Sequence, residues 1–179
     1  MTAREWVQKT MDFKKIPVVG RGVTLTEIPD HIAVYFEIGG CYQNCPGCHS
    51  PHHKLEGVLS SIDCLVSYTE DQKEKGANAV VLMGGTTSKY LNKHELSNII
   101  QTLSKILPVG LYSGDSRDDF FMNNKNLRWY KYGSYVESLG GLTSTTTNQK
   151  FYQRSKCGEW ELINELYTST TQPEKHLDI

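Results

Sequence analysis

Short apolar runs that end in glycine and lead into helical patterns set the limits on how this chain can fold. His31–Ile38 (HIAVYFEI) runs into Gly39–Gly40, Asn78–Met83 (NAVVLM) into Gly84–Gly85, and Val109–Tyr112 into Ser113–Gly114–Asp115. Runs this short and this continuously apolar read as strands buried on both faces. Between them, Ser60–Lys75 reads as a helix capped by Ser60 or Ser61, with Ile62, Leu65, Val66 and Thr69 on one face and Gly76 at its end. Leu96, Ile99, Ile100, Leu103, Ile106 and Leu107 mark a second helix, which Pro108 stops. Ile16–Ile28 suggests one or two strands, Arg117–Asn123 a short helix and Leu127–Tyr132 a further strand. Strand–loop–helix units in series specify α/β architecture with a mostly parallel sheet. A closed eight-stranded barrel takes about 250 residues, and this chain has 179. The expectation is an open, partial (βα) barrel: a single domain over 1–179, with an N-terminal arm at 1–15 and a C-terminal tail at 153–179.

Parallel βα folds place their sites at the carboxyl ends of the strands. That rule selects four loops, Gly39–Lys54, Gly84–Lys89, Ser113–Ser116 and Gly133–Ser134. The first holds Cys41, Cys45 and Cys48 in the spacing Cys-x3-Cys-x2-Cys, and Pro46 and Pro51 are expected to keep it out of helix. The other two cysteines stand apart: Cys64 reads as a small core residue, and Cys157 takes no assignment. The polar start, MTAREWVQKTMDFKK, lacks the apolar centre of a signal peptide. No apolar stretch approaches the roughly 18 residues of a membrane span. The expected location is therefore cytoplasmic, where thiols stay reduced and a disulfide framework is not expected. A formal charge of −1 supplies no general field for nucleic acid or an anionic membrane.

Three thiolates on one loop are compatible with three chemistries. They can hold an iron–sulfur cluster and leave one position uncovered. They can hold structural zinc with His49, His52 or His53 as fourth ligand, although no second Cys-x2-Cys pair is present. Cys45 and Cys48 can form a redox dithiol, which leaves Cys41 idle. All three stay open on spacing, and the strand-end position favours the first. Gly84–Gly85 reads equally as a plain turn or as a close backbone approach to a ligand.

The sequence GCYQNCPGCHSPH resembles the cluster-binding loop of the radical S-adenosylmethionine (SAM) enzymes, and within them the activating proteins of anaerobic (class III) ribonucleotide reductases. VVLMGG and GLYSGD are similar to that family's next strand ends, and WYKYGSYVESLGGLTSTTTNQKFY to a longer family segment. The resemblance covers roughly Thr24–Tyr152. It implies a 4Fe–4S cluster on Cys41, Cys45 and Cys48, with SAM on the iron that carries no protein ligand, so that none of His49, His52 and His53 ligates iron. It places the backbone of Gly47, Cys48 and His49 at the adenine of SAM and Gly84 and Gly85 at its methionyl end. Thr86 and Thr87 stand where relatives often carry an acidic residue. Tyr112, Ser113 and Asp115 fall where they can bond the ribose or simply serve the turn, and Lys131 where it can approach SAM or the partner. Ser134 and Thr145 replace family prolines. The implied activity is installation of a glycyl radical on the large subunit of anaerobic ribonucleotide reductase, with a donor such as flavodoxin or ferredoxin. Activation of another glycyl radical enzyme is the alternative within this class. A zinc-stabilised binding module is the alternative outside it.

Overall fold

The computed structural model describes residues 15–168. The N-terminal arm read from the sequence therefore lies outside the described residues except for Lys15. The chain forms one eight-stranded, open sheet in the order β3-β1-β2-β4-β5-β6-β7-β8. The strands are β1 (Ile16–Thr24), β2 (Ala33–Ile38), β3 (Val58–Ser60), β4 (Ala79–Met83), β5 (Val109–Tyr112), β6 (Leu127–Tyr132), β7 (Lys150–Arg154) and β8 (Trp160–Leu162). The helices are α1 (Ile62–Glu74), α2 (Lys93–Leu103) and two short ones, α3 (Asp119–Met122) and α4 (Glu165–Thr168).

The mostly parallel sheet expected from the sequence is not what forms. The centre is parallel (β2 with β4, β4 with β5, β5 with β6). Both flanks are antiparallel, β3–β1–β2 on one side and β6–β7–β8 on the other. The reason is connectivity, because parallel neighbours need a crossover that carries the chain back to its starting edge. The connections after β2, β4 and β5 hold α1, α2 and α3, whereas β6 leads to β7 through turns, and β7 to β8 through a tight turn at Gly158. Within the stretch expected as a C-terminal tail, residues 153–168 finish β7 and form β8 and α4, and 169–179 lie outside the described residues.

β4 and β5 bury nearly every residue on both faces, as their continuous apolar runs require, whereas β2 and β6 leave Tyr35, Glu37, Arg128, Lys131 and Tyr132 half-buried. On one side Val34, Phe36, Val80, Leu82, Leu111 and Tyr130 pack under α1 and α2. The stripe Ile62, Leu65, Val66 and Thr69 on α1 and the stripe Leu96, Ile99, Ile100 and Leu103 on α2 are buried against them. Ile106 and Leu107 fall in the turn beyond α2. On the other side Ala33, Ala79, Val81, Tyr112, Trp129 and Phe151 form a second cluster, closed by Ile28 and Leu142 from connecting segments and Tyr167 from α4. Among the described residues no long helix covers this second face, and a cleft opens at its strand ends.

The helix starts follow the side chains available to cap them. Ser61 accepts from the amide of Cys64 at the start of α1. Asn92 and Glu95 form a complete capping box on α2, with the Asn92 amide donating to the Glu95 carboxylate at 2.8 Å. Asn92→Ala should cost about 1 kcal/mol, readable as a lowered thermal midpoint. Cys64 is not the core residue the sequence suggested: it is exposed in the first turn of α1, with the Ser61 hydroxyl 3.3 Å from its sulfur. Cys64→Ala should therefore change stability by less than about 0.5 kcal/mol in the same measurement.

Candidate functional site

The cysteine loop leaves the end of β2 and is stitched to the strand-end segments beside it. Gly39 donates its amide to the Pro17 carbonyl (2.9 Å) and Gly40 to Leu55 (2.7 Å). The amide of Cys41 donates to the carbonyl of His53 (2.8 Å), that of Tyr42 to Thr87 (3.0 Å), and that of Lys89 to Gly40 (2.9 Å). Cys41 is thereby held between the return of its own loop and the segment after β4. Gly40, at φ 81, lies where a Cβ would run into the Tyr90 ring, so glycine is required there.

Between the second and third cysteines the chain turns sharply. Cys48 donates its amide to the Cys45 carbonyl at 3.2 Å, and Gly47 takes φ 67. Proline in the second position and a left-handed glycine in the third is the pattern of a type II turn. A Cβ on Gly47 would also come within 2.9 Å of the Glu137 carboxyl. The loop then closes with a 3₁₀ turn over Pro51–Lys54. Pro51, expected to keep this stretch out of helix, instead begins one, because proline's fixed φ and missing N–H suit a first helical position.

Cys41, Cys45 and Cys48 are half-buried, carry free thiols and line one cavity of about 260 Å³. Its wall is assembled from consecutive parallel strand ends: Met83 and Gly84 after β4, Tyr112 to Gly114 after β5, Lys131 and Gly133 after β6. His49, His53, Tyr135, Leu142 and Gln149 complete it. The Thr87 hydroxyl lies 3.3 Å from the Cys41 sulfur and 3.1 Å from the Gly84 carbonyl. The Cys45 thiol reaches Gln43 Oε1 at 3.6 Å, and Gln43 Nε2 donates to the Gly114 carbonyl at 2.9 Å. The His49 ring packs against Tyr135 with centroids 4.5 Å apart. The Thr143–Gln149 stretch is ordered and holds the far wall. Thr146 donates to Leu139 (3.0 Å), Thr147 to Gly140 (3.2 Å), Asn148 to Ser134 (2.9 Å) and Gln149 to Gly133 (3.2 Å).

Of the residues singled out from the sequence, the fold brings Cys41, Cys45, Cys48, His49, His53, Gly84, Thr87, Tyr112, Ser113 and Lys131 to this cavity. Gly47, Gly85 and Thr86 are not among its lining. Gly85 is buried where a Cβ would meet Leu96 at 2.8 Å, and Thr86 Oγ1 lies 2.8 Å from Ser113 Oγ. The Tyr112 hydroxyl donates to the Glu27 carbonyl, so it is the ring that faces the cavity chemistry. Asp115 accepts from Gln43 at 3.2 Å and from the Tyr42 hydroxyl at 3.3 Å, bracing the cysteine loop. Gln43, Met83, Tyr135, Leu142 and Gln149 were not singled out, because their place in the wall depends on how distant loops converge. Met83 alone carried a signal, as the last residue of a buried strand before a glycine pair.

Desolvation dominates the electrostatics of this cleft. Burial pulls the Lys131 ammonium down to about 8, partly offset by Glu27, with Nζ 4.8 Å from the Tyr112 ring centroid. Burial likewise holds His53 below its ordinary value, against the opposing effect of Glu37. An unfolded lysine titrates near 10.4, so between about pH 8 and that value the unfolded chain binds more protons and stability rises with pH. Lys131→Met should therefore be more stable than the parent at pH 7, with the gap shrinking as the pH approaches 10. Denaturant midpoints across that range measure it.

No family model, curated protein or solved structure matches this chain. No helix among the described residues is long and apolar enough to cross a membrane.

Proposed function

We propose that the chain is a radical SAM activase that generates the glycyl radical of anaerobic ribonucleotide reductase. The observation that carries this reading is the convergence of three free cysteines from one loop on a cavity built at the carboxyl ends of β2, β4, β5 and β6. The donor set fits a 4Fe–4S cluster with one uncovered iron: three thiols, and histidines that are otherwise engaged. His52 Nε2 and His53 Nε2 lie 2.8 and 3.2 Å from Glu37 Oε1, and His49 lies against Tyr135. The finer architecture proposed with it is a partial radical SAM barrel, of which the parallel centre of the sheet would be the wall.

Cys41, Cys45 and Cys48 would hold the cluster and leave the cavity for SAM. A cluster held there would pass one electron from an external reductant to SAM and cleave its sulfonium bond, the chemistry needed to take a hydrogen atom from a glycine of the reductase. The chain's own residues hold and shield the substrate. Gly84, at φ 88, keeps its backbone bare beside Met83 at the floor of the cavity. Lys131, a cation that burial destabilises, gains most from an anionic group such as the SAM carboxylate. Leu142 and Tyr135 cover the opposite wall with apolar surface. The partners proposed are the reductase large subunit, through its glycyl radical loop, and a flavodoxin or ferredoxin.

Structural zinc is the second reading, supported by the presence of His53 in the same cavity wall as the three cysteines. Anaerobic reconstitution with iron and sulfide, followed by SAM and dithionite, separates the two. The activase yields a brown protein and forms 5′-deoxyadenosine. A colourless protein that retains zinc and releases no 5′-deoxyadenosine would overturn the proposal.

A further inference from the structure

We propose that Glu37, His52 and His53 form a separate metal site, for a divalent transition-metal ion of the zinc class, in which no thiol takes part. Among the described residues these three are the group whose ligating atoms lie together, all within 4.8 Å of one another. Both imidazoles turn the same nitrogen to one carboxylate oxygen, at 2.8 and 3.2 Å. Zinc bonds histidine nitrogen and carboxylate oxygen at about 2.0–2.2 Å, which puts neighbouring ligand atoms of a tetrahedral shell roughly 3.3–3.5 Å apart. A small outward movement of His52, whose side chain is 43% exposed, converts the hydrogen-bonded cluster into that shell.

The surrounding backbone is shaped for the cluster. Glu37 pairs with Gly20 across β1–β2, next to a register shift between Val18 and Gly20. Bulges of this kind re-aim a side chain. A Cβ at Gly20 would overlap the second carboxylate oxygen, and one at Gly84 would lie 2.5 Å from His53 Nδ1. On its other edge Glu37 pairs with Met83 of β4, so the carboxylate is fixed by the sheet. The histidines are fixed by the 3₁₀ turn, through His53 N–H to the Ser50 carbonyl (3.1 Å) and Leu55 N–H to the His52 carbonyl (3.0 Å).

Two imidazoles and one carboxylate select zinc or a neighbouring transition metal over magnesium or calcium, which take mostly oxygen ligands. Three protein ligands leave a fourth position on the exposed His52 side for water. The ion would also stiffen the cysteine loop, since the His53 carbonyl receives the Cys41 amide. The site shares no ligand with the cluster, so either can fail without the other.

Cobalt(II) is the probe, because thiolate-bound cobalt shows an intense near-ultraviolet band that nitrogen and oxygen ligands do not give. The full-length chain carrying Cys41→Ala, Cys45→Ala and Cys48→Ala should bind one cobalt per chain with visible bands and no thiolate band. Adding His52→Ala or Glu37→Gln should weaken that binding by at least about tenfold. In the chain with its cysteines intact, His52→Ala should remove the one cobalt equivalent that carries no thiolate band, a comparison that stands if the triple variant does not fold. Unchanged cobalt binding in His52→Ala and Glu37→Gln, or no thiol-free cobalt in either background, would show that the cluster is a hydrogen-bonded brace and overturn the proposal.

Discussion

Cys41→Ala, Cys45→Ala and Cys48→Ala should each reduce the iron of the anaerobically reconstituted protein to background and abolish 5′-deoxyadenosine formation. Three thiolates are the minimum that holds a 4Fe–4S cluster while leaving one iron for substrate. The loop offers no replacement, because Cys64 is exposed on α1 and Cys157 lies in the β7–β8 turn, and neither lines the cavity. Cys64→Ala and Cys157→Ala should accordingly keep both iron and activity. The backbone of the loop is fixed by hydrogen bonds donated by the amides of Gly39, Gly40, Cys41 and Tyr42, so the alanine variants should remain folded. Loss of iron from Cys64→Ala alone, or full iron in Cys45→Ala, would contradict the ligand assignment.

Trp129→Ala should lose about 3–5 kcal/mol of stability, the range for deleting a fully buried large aromatic. Trp129 is 1% exposed at the centre of β6, on the sheet face that carries no long helix. Its ring meets His31 edge-on with centroids 4.8 Å apart, and Nε1 donates to Gln153 on β7 at 3.1 Å. It therefore ties the β1–β2 connection to the antiparallel flank beneath the cavity. Equilibrium urea unfolding should show a much lower midpoint, and in reconstituted protein 5′-deoxyadenosine formation should fall along with it. A loss below about 1.5 kcal/mol would mean that this face is held mainly by the helix-covered core on the other side.

The parallel centre of the fold was legible because β2, β4 and β5 are short, mostly apolar runs that stop at turn residues, and β6 (LRWYKY) is rich in large aromatics ahead of Gly133. Stripes at helical spacing on α1 and α2 were legible for the same reason, and they are buried as read. The antiparallel flanks were not. Strand direction depends on whether a connection contains a crossover, and the stretch between β6 and β7 gives no periodic signal either way. Cys64 was misread because a small apolar residue beside Leu65 and Val66 looks like part of their stripe. The Ser61 cap sets the first turn so that it faces solvent. Three cysteines after a strand announced a site, and the strand ends then collected Gly84, Tyr112, Ser113 and Lys131 around it. The Glu37–His52–His53 cluster had no comparable signal. Its members meet only because the loop folds back on β2 and the β1 bulge beside Gly20, which itself lacks a side chain, makes room for the Glu37 carboxylate.

Electron paramagnetic resonance on the activated partner tests the proposed activase function most directly. The reconstituted chain, SAM, a reductant and the large subunit of anaerobic ribonucleotide reductase are mixed without oxygen and frozen. The doublet of a glycyl radical should appear on the reductase with the parent chain and be absent with Cys45→Ala. SAM cleavage to 5′-deoxyadenosine with no doublet on the reductase would contradict the assignment of this partner.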